Sequence, residues 1–465
     1  MSFELRLWDI REKLRDRARD ALLQSPPPVR RLLANAGAFG RSLQRGGIQP
    51  NDRVDHCPET LSLPLDQLRL LQTKRLRSVV GYAKEHVPHY RQHMPDADIA
   101  TIDDVRGLPV LFRDALRHDP FNVVADGVLR SLLQLRTTSG STGTPLRYYH
   151  HPETLAHNTA AWQAVLRWYG WRPAEPHAHF GGLPLVSAGV TVPPWWIYVD
   201  LWRQLRCSAY HLSPRSFRHY IDEMKRRKVR FGVGYASSWY QLAVMVRDSD
   251  VTPPKLRAIV TDSDGLTDDQ KELVEEAFGC PVFRTYGCGE TGMAMMECSR
   301  GHYHEVSPSK LVEVVDDLGE PVTPGKSGRL LVTDLLSRKT PYIRYDTGDL
   351  ATTVQCDCGW NSPAVRHIEG RADEVIETPS GRRLGRLSHI IKPAAGVVES
   401  QIVQCAPDCM EIRVVGTDAL DAASMDRVCA RARRYVGDDM RISWKQVPFL
   451  PRLPNGKLRH VIREG

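Results

Sequence analysis

Hydroxyl-bearing residues are concentrated in one short stretch, TTSGSTGTP at residues 137–145, which also contains Gly140 and Gly143. Because glycine has no Cβ, its backbone amide can approach an anion closely, and the hydroxyls supply further donors. The stretch lacks the Gly-Lys-Ser/Thr ending of a Walker loop, and by composition alone a flexible linker is an equally good interpretation. Apolar Leu133 and Leu135 before it and Tyr148 after it favour an anchored phosphate loop.

Three other stretches carry chemically capable side chains on glycine turns. TYGCGETG at 285–292 carries Tyr286 and Glu290, RYDTGDL at 344–350 carries Asp349, and PRLPNGKLRH at 451–460 carries Lys457. The first follows a strand, and parallel sheets hold ligands at the carboxyl ends of their strands. Each stretch taken alone is more often a plain turn than a binding site.

Some of the ten cysteines have the spacing of a metal site. Cys298, Cys356 and Cys358 together with His302 or His304 could close a tetrahedral zinc site. Four protein ligands would leave no open position, so such a zinc would be structural. The cysteines interpreted as small buried hydrophobes are Cys57, Cys207, Cys280 and Cys429. Cys405 and Cys409 flank a Pro-Asp turn and are not expected to be ligands.

Local periodicity indicates which elements position these stretches. Apolar residues three and four apart predict a helix in LPLDQLRLLQTKRLRSVVGYAKEHV, and its apolar positions are Leu65, Leu68, Leu71, Leu76, Val79, Val80 and Ala83. A βαβ unit is predicted from a strand that ends near Val260, a helix with a Thr267/Gln270 capping box and a second strand at Val282. Residues 301–336 alternate apolar and charged positions, which predicts antiparallel strands.

A separate α+β unit is predicted after Gly370, where strand-like QIVQC, EIRVVG and RISWKQV surround a helical DAASMDRVCARARRYVG. The expected domains are a helical extension at 1–60, a large domain at 61–370 and a small mobile lid at 371–465. The fold class is therefore α/β, a large domain with parallel or mixed sheets and flanking helices plus a small α+β domain.

Composition excludes several classes of protein. With 42% hydrophobic and 25% charged residues the chain is neither disordered, collagen-like nor a coiled coil. The net charge of +8 comes from 63 basic and 55 acidic residues that are interleaved, so neither nucleic acid nor a membrane is the expected partner. The sequence contains no run of about 18 apolar residues and no secretion signal, which predicts a cytoplasmic protein without a membrane span.

The order TSGSTGTP, YGCGETG, YDTGDL, GRADE, PNGK closely resembles the ordered motif set of the adenylate-forming superfamily of acyl-CoA synthetases, adenylation domains and luciferases. The segments LRLLQTKRLRSVVGYAKEHVPHYRQHM and DDVRGLPVLFRDALRHD resemble in particular its phenylacetate-CoA ligase-like branch. The resemblance covers residues from about 60 to the C-terminus.

The resemblance implies a ligase that uses ATP and Mg²⁺ to convert a small carboxylic acid into an acyl-adenylate. Three residues would be catalytic, namely Lys457, Glu290 and Thr142. The nucleotide would be bound by Ser139, Gly140, Ser141, Thr142, Gly143, Ser263, Asp264, Gly265, Tyr286, Gly287, Glu290, Asp349 and Arg371. The acid would be bound by Tyr235, Ala236 and Gly287. Asp373 in GRADE would be the hinge of the lid, with a helix or turn cap as its alternative role.

In the same branch a similar cysteine and histidine pattern makes His304 the better fourth zinc ligand, with His302 as the alternative. The sequence departs from the superfamily after Pro145, where the usual lysine is replaced by Leu146 and Arg147 follows. The resemblance favours an aromatic acid and coenzyme A as acceptor. An amine, a hydroxyl or a carrier-protein thiol is the alternative acceptor. Two other functions are weaker alternatives for the whole protein, namely a catalytically inactive nucleotide-binding protein and a zinc-containing nucleic-acid binder. The oligomeric state stays open, a homodimer included.

Overall fold

The computed structural model describes residues 22–44, 63–96, 98–137, 146–182, 185–187, 190–306, 308–371, 375–379, 383–385, 397–418, 420–452, 458–459 and 461–464. The chain divides into two compact units. One comprises residues 1–22, 32–172 and 284–369, and the other residues 23–31, 173–283 and 370–465.

The helices and strands have the following bounds. The helices are α1 (Pro27–Gln44), α2 (Leu65–His86), α3 (Pro88–His93), α4 (Arg113–His118), α5 (Pro152–Trp168), α6 (Phe217–Arg226), α7 (Ala236–Arg247), α8 (Asp268–Phe278) and α9 (Ala422–Val436). The strands are β1 (Gln134–Thr137), β2 (Arg147–His150), β3 (His177–Gly181), β4 (Trp196–Val199), β5 (Gln204–Ser208), β6 (Phe231–Tyr235), β7 (Ala258–Asp262), β8 (Val282–Cys288), β9 (Gly292–Glu297), β10 (Tyr303–Glu305), β11 (Lys310–Val315), β12 (Ser327–Asp334), β13 (Tyr345–Val354), β14 (Ala364–Arg371), β15 (Val375–Glu377), β16 (Arg383–Gly385), β17 (Val397–Ala406), β18 (Cys409–Gly416), β19 (Arg441–Gln446) and β20 (Val461–Arg463).

The first unit is built on strands in the order β11-β12-β13-β14-β10-β9-β8. The pairs β11-β12, β12-β13, β14-β10, β10-β9 and β9-β8 are antiparallel. The predicted antiparallel pairing is confirmed for β11 and β12, but β11 is buried on both faces, since its charged Lys310 is buried together with Leu311, Val312, Val314 and Val315. Helix α2 matches the predicted helix, and its buried Leu76 and Val79 pack in one core with Tyr342.

The second unit contains strands in the order β7-β6-β3-β5-β4, of which β7, β6, β3 and β5 are parallel. Helix α8 begins with the predicted capping box of Thr267 and Gln270 and ends at Gly279, which has a left-handed φ of 61°. Gly234 in β6 cannot carry a side chain, because a Cβ there would lie 1.9 Å from the carbonyl oxygen of Phe180.

The C-terminal part of this unit is a sheet in the order β19-β18-β17-β20 with α9 packed on it. Strands β17, β18 and β19 and helix α9 coincide with the predicted α+β pattern. The α/β fold class with sheets, flanking helices and a small C-terminal α+β part is thus confirmed. In the part of the chain described, every helix falls short of the length and apolarity that crossing a membrane would require.

Candidate functional site

The hydroxyl-rich stretch joins two paired strands. β1 and β2 are antiparallel with Thr137 opposite Arg147, so the stretch closes a hairpin. Leu146, which replaces the expected lysine, is buried, and Arg147 is exposed. Several residues singled out from the sequence lie outside the described part of the chain, namely Cys57, Ser139, Gly140, Ser141, Thr142, Gly143, Asp373, Lys457 and the side chain of Arg371.

Glu290 lies in the turn between β8 and β9, and its side chain is 1% exposed. Two groups hold the same carboxylate oxygen, Oε1. The Tyr345 hydroxyl donates to it at 2.5 Å, and an Arg113 guanidinium nitrogen lies 3.7 Å from it. Both of these side-chain contacts of Glu290 within the described residues go to Oε1.

His150 holds the backbone of the same turn. Its Nε2 is 2.8 Å from the Glu290 carbonyl oxygen, which can only accept, so Nε2 carries the proton. Burial lowers the pKa of His150 to about 4, which keeps the ring neutral near pH 7. Gly289 in this turn has no room for a side chain, because a Cβ would lie 2.3 Å from the Tyr148 hydroxyl.

The RYDTGDL stretch is positioned by Arg344, which is buried and has a left-handed φ of 46°. Its guanidinium donates to the carbonyls of Leu108 and Gly319 at 2.8 and 2.9 Å. These bonds fix the start of β13, so that Tyr345 reaches Glu290. Gly348 follows with a φ of 77°, the conformation that turns the chain toward Asp349.

Tyr286 and Asp349 are in direct contact. The Tyr286 hydroxyl donates to Asp349 Oδ2 at 2.6 Å, and Thr347 Oγ1 accepts from the Asp349 backbone amide at 3.2 Å. Burial raises the pKa of Tyr286 well above its usual value, and the nearby Asp349 carboxylate raises it further. The hydroxyl therefore stays protonated and remains a donor. Gly287 next to it cannot carry a side chain, because a Cβ would lie 2.5 Å from the Gly292 carbonyl oxygen.

In the second unit, Asp264 caps a helix. Its carboxylate accepts from the backbone amides of Ala236 at 2.6 Å and Ser237 at 3.2 Å, the first residues of α7. Ser263 adopts a left-handed φ of 69°, which is rare for a residue with a side chain and marks a constrained turn before Gly265. Tyr235 is buried at the end of β6, directly before the capped helix.

Cys298, His304, Cys356 and Cys358 form a cluster that could hold a metal ion, with their ligand atoms within 4.8 Å of one another. Cys298 Sγ is 3.7 Å from Cys356 Sγ, and Cys358 Sγ is 3.4 Å from His304 Nε2. His304 Nδ1 donates to the Ser362 carbonyl at 2.9 Å, which leaves the Nε2 lone pair toward the thiols. The cluster contains His304 rather than His302.

Three residues around Glu290 were not predicted from the sequence, namely Arg113, Tyr345 and His150. Tyr345 precedes the acidic residues of RYDTGDL and His150 ends the strand after the hydroxyl-rich stretch, so adjacency to a motif was an available signal. Arg113 lies in the segment DDVRGLPVLFRDALRHD, but nothing near it in the sequence indicated Glu290 as its partner, which lies 177 positions later in the chain.

Comparison with known proteins identifies the family of the chain. The AMP-binding enzyme model matches residues 100–334, and the CapK C-terminal domain model matches residues 376–464. The chain therefore belongs to the AMP-binding enzyme family, the adenylate-forming superfamily that the motif order suggested. Within it, the chain falls in the phenylacetate-CoA ligase-like branch, as its relatives show.

Phenylacetate-coenzyme A ligase of Thermus thermophilus is 29% identical over 457 residues, covering 87% of this chain and 98% of that protein. Protein CapK of Staphylococcus aureus is 22% identical over 410 residues, covering 84% and 88%. Among solved structures, 2-hydroxyisobutyryl-CoA ligase in the postadenylation state matches with a TM-score of 0.70 at 20% identity, covering 90% and 94%. This last likeness shows that the fold is shared.

Proposed function

We propose that the protein joins ATP to a carboxylic acid, releases pyrophosphate and passes the acyl group from the acyl-adenylate to coenzyme A. A carboxylate is a poor electrophile because its leaving group would be oxide, whereas an acyl-adenylate can expel AMP. The observation that carries the proposal is the arrangement around Glu290, together with the bonded pair of Tyr286 and Asp349, in the unit that contains β8 and β13.

The donor set around Glu290 fits Mg²⁺, which prefers carboxylate oxygens and phosphate. The Glu290 carboxylate, oriented by Tyr345 and Arg113, would hold the ion. Mg²⁺ bound there would neutralise phosphate charge and orient the triphosphate. Tyr345 fixes the rotamer of the carboxylate, and His150 fixes its backbone.

We assign nucleotide recognition to individual residues. Tyr286 would pack on adenine, Asp349 would accept from the ribose hydroxyls, and Ser263, Asp264 and Gly265 would line the base. The capping bonds of Asp264 support a positioning role for this carboxylate. Phosphates would be bound by Ser139, Gly140, Ser141, Thr142, Gly143 and Arg371.

Lys457 would bridge the substrate carboxylate and the α-phosphate, where its ammonium offsets the negative charge that develops in the transition state. Asp373 would be the hinge between a large domain at 61–370 and a lid at 371–465, with 1–60 as an extension. Such a lid would withdraw Lys457 after adenylation and present a second face to the acceptor.

An aromatic acid is the proposed substrate. Tyr235, Ala236 and Gly287 would contact it, and the buried Tyr235 supplies an apolar ring at the start of a capped helix. The relatives named phenylacetate-coenzyme A ligase support this class of acid.

The cysteine and histidine cluster fits zinc, since three thiolates and one imidazole are the usual ligands of a closed tetrahedral site. We propose that this zinc is structural. It would tie the turn after β9 to the turn after β13, which are the turns that follow the Glu290 and Asp349 motifs.

The test is a screen of aromatic and aliphatic acids for ATP-dependent pyrophosphate release, with mass analysis of products with and without coenzyme A. Aromatic acids are expected to give an acyl-AMP alone and an acyl-CoA when coenzyme A is added. A Lys457→Ala variant is expected to lose at least about 100-fold in pyrophosphate release, the typical loss for an electrostatic catalytic group.

The matched control is Lys326→Ala, which removes an exposed lysine on a turn before β12 and is expected to leave the rate unchanged. If no acid releases pyrophosphate, or if Lys457→Ala behaves like Lys326→Ala, the proposal is wrong. Acyl-AMP that accumulates whether or not coenzyme A is present would instead point to an amine, a hydroxyl or a carrier-protein thiol as acceptor.

A further inference from the structure

Two cysteines that the ligase chemistry does not use lie side by side on the C-terminal part of the second unit. Cys405 is near the end of β17 and Cys409 begins β18, and their sulfur atoms are 2.7 Å apart. That separation is well inside non-bonded contact and approaches the bonded distance of about 2.05 Å. Both residues are accessible, since Cys405 is exposed and Cys409 is half-buried.

The hairpin between them keeps the two sulfurs together. β17 and β18 are antiparallel, with Ala406 opposite Cys409 and a register irregularity between Gln404 and Ala406. This irregularity brings Cys405 to the same side of the turn as Cys409. The turn is also held from its far side, because Arg441 of β19 bonds the Asp408 carboxylate through two nitrogens at 3.0 and 3.1 Å.

The other described cysteines differ in either access or pairing. Cys207 and Cys280 are buried, and Cys298, Cys356 and Cys358 belong to the metal cluster. A thiol must be accessible to form a mixed disulfide with a small disulfide, and closing an intramolecular disulfide requires in addition a second sulfur close by. Among the described cysteines outside the metal cluster, Cys405 and Cys409 have both an accessible thiol and a second sulfur beside it.

We propose that Cys405 and Cys409 form a surface redox site that a low-molecular-weight disulfide such as oxidised glutathione converts reversibly into an intramolecular disulfide. One thiolate attacks the small disulfide, forms a mixed disulfide and releases one small thiol. The second thiolate attacks the protein sulfur, closes the Cys405–Cys409 bond and expels the other small thiol. Two cysteines lose two electrons and two protons in total, and the small disulfide is reduced to two thiols.

Closing this bond would restrain the end of β17. The adjacent Gln404 carbonyl accepts from the Glu464 backbone amide at 2.9 Å, and Gln404 is opposite Arg463 in the parallel pair of β17 and β20. The site therefore borders the strand that follows the PNGK stretch, although its chemistry is independent of the proposed ligase activity.

The experiment equilibrates the full-length protein in glutathione buffers that range from reduced to oxidised. Samples are quenched and unfolded in acid, alkylated under denaturing conditions, digested and analysed by mass. Denaturation before alkylation matters because thiols protected by a bound metal then become alkylated, whereas a disulfide does not. We expect alkylation of Cys405 and Cys409 to fall together by about tenfold in the oxidised buffers and to return on reduction.

Single variants separate closure from simple thiol reactivity. Cys405→Ser and Cys409→Ser are expected to retain glutathione on the remaining cysteine, because no partner thiol can expel it. Cys429→Ser, which removes a half-buried cysteine on α9, is the matched control and should behave as the unmodified protein does. The proposal is overturned if both cysteines stay alkylated in the most oxidised buffer, or if the unmodified protein accumulates glutathione adducts as the single variants do.

Discussion

Replacing Tyr345 by phenylalanine tests whether its hydroxyl fixes Glu290. The substitution removes one oxygen and keeps the ring, which packs edge-on against Tyr342 at a centroid distance of 5.4 Å. Both bonded groups are buried, and burial raises the pKa of Tyr345 well above its usual value, so the hydroxyl is a permanent donor. In the variant, the carboxylate keeps only Arg113 at 3.7 Å among the described side chains.

A hydrogen bond to a charged group contributes about 1.5–3 kcal/mol. We therefore expect the free energy of unfolding of Tyr345→Phe to fall by about that amount in a urea titration. If the hydroxyl also orients the Glu290 carboxylate that would hold Mg²⁺, part of this energy is lost from ion binding. A loss of about 1.4 kcal/mol raises the Mg²⁺ concentration for half-maximal pyrophosphate release about tenfold.

Tyr342→Phe is the matched control, because Tyr342 is equally buried and its hydroxyl has no hydrogen-bond partner among the described residues. Removing an unpartnered buried hydroxyl is expected to be neutral or stabilising by about 1 kcal/mol. Equal losses of stability in the two variants would refute the reasoning. An unchanged Mg²⁺ dependence in Tyr345→Phe would refute its link to the ion.

Three further outcomes are expected. Burial lowers the pKa of His150 to about 4 from an unfolded value of about 6.5, so its contribution to stability is present above pH 6.5 and declines as pH falls toward 4. The loss in unfolding free energy between pH 7 and 5 should therefore be about 2 kcal/mol smaller in His150→Asn than in the parent protein. Identical losses in the two proteins would contradict this. Cys358→Ser should reduce bound zinc from about one equivalent to near zero by atomic absorption, while Cys429→Ser retains it; retention in both would exclude the cluster as the metal site. Asp264→Ala should lower the unfolding free energy by about 1–2 kcal/mol through loss of the cap on α7, with a smaller loss for Asp264→Asn, and no difference from the parent protein would disprove the capping role.

Local patterns predicted local structure well. The capping box of Thr267 and Gln270 and the stop at Gly279 are determined by residues a few positions apart, and the structure has all three. The helix at 65–86 was predicted from its periodicity, but Leu65 is 47% exposed and Leu71 is only half-buried. Periodicity identifies an apolar stripe and does not show how far the neighbouring elements cover it.

The surroundings of Glu290 could not be predicted in the same way. His150, Arg113 and Tyr345 come from three separate parts of the chain, and they meet at one turn only because of the order of the strands. The same limit applies to Asp264, whose motif gave no sign that its carboxylate caps a helix starting 28 residues earlier. Long-range pairing of this kind requires the fold, which a single sequence does not specify by spacing.

The bond between Tyr286 and Asp349 has a consequence for protein engineering. Tyr286 is the residue proposed to pack on adenine, so it is a natural target in a search for an enzyme that accepts a different nucleobase. A library that varies Tyr286 alone would also release the carboxylate that its hydroxyl orients at 2.6 Å. Changes at the two positions are therefore coupled, and pairwise libraries should recover altered specificity that single-site libraries miss.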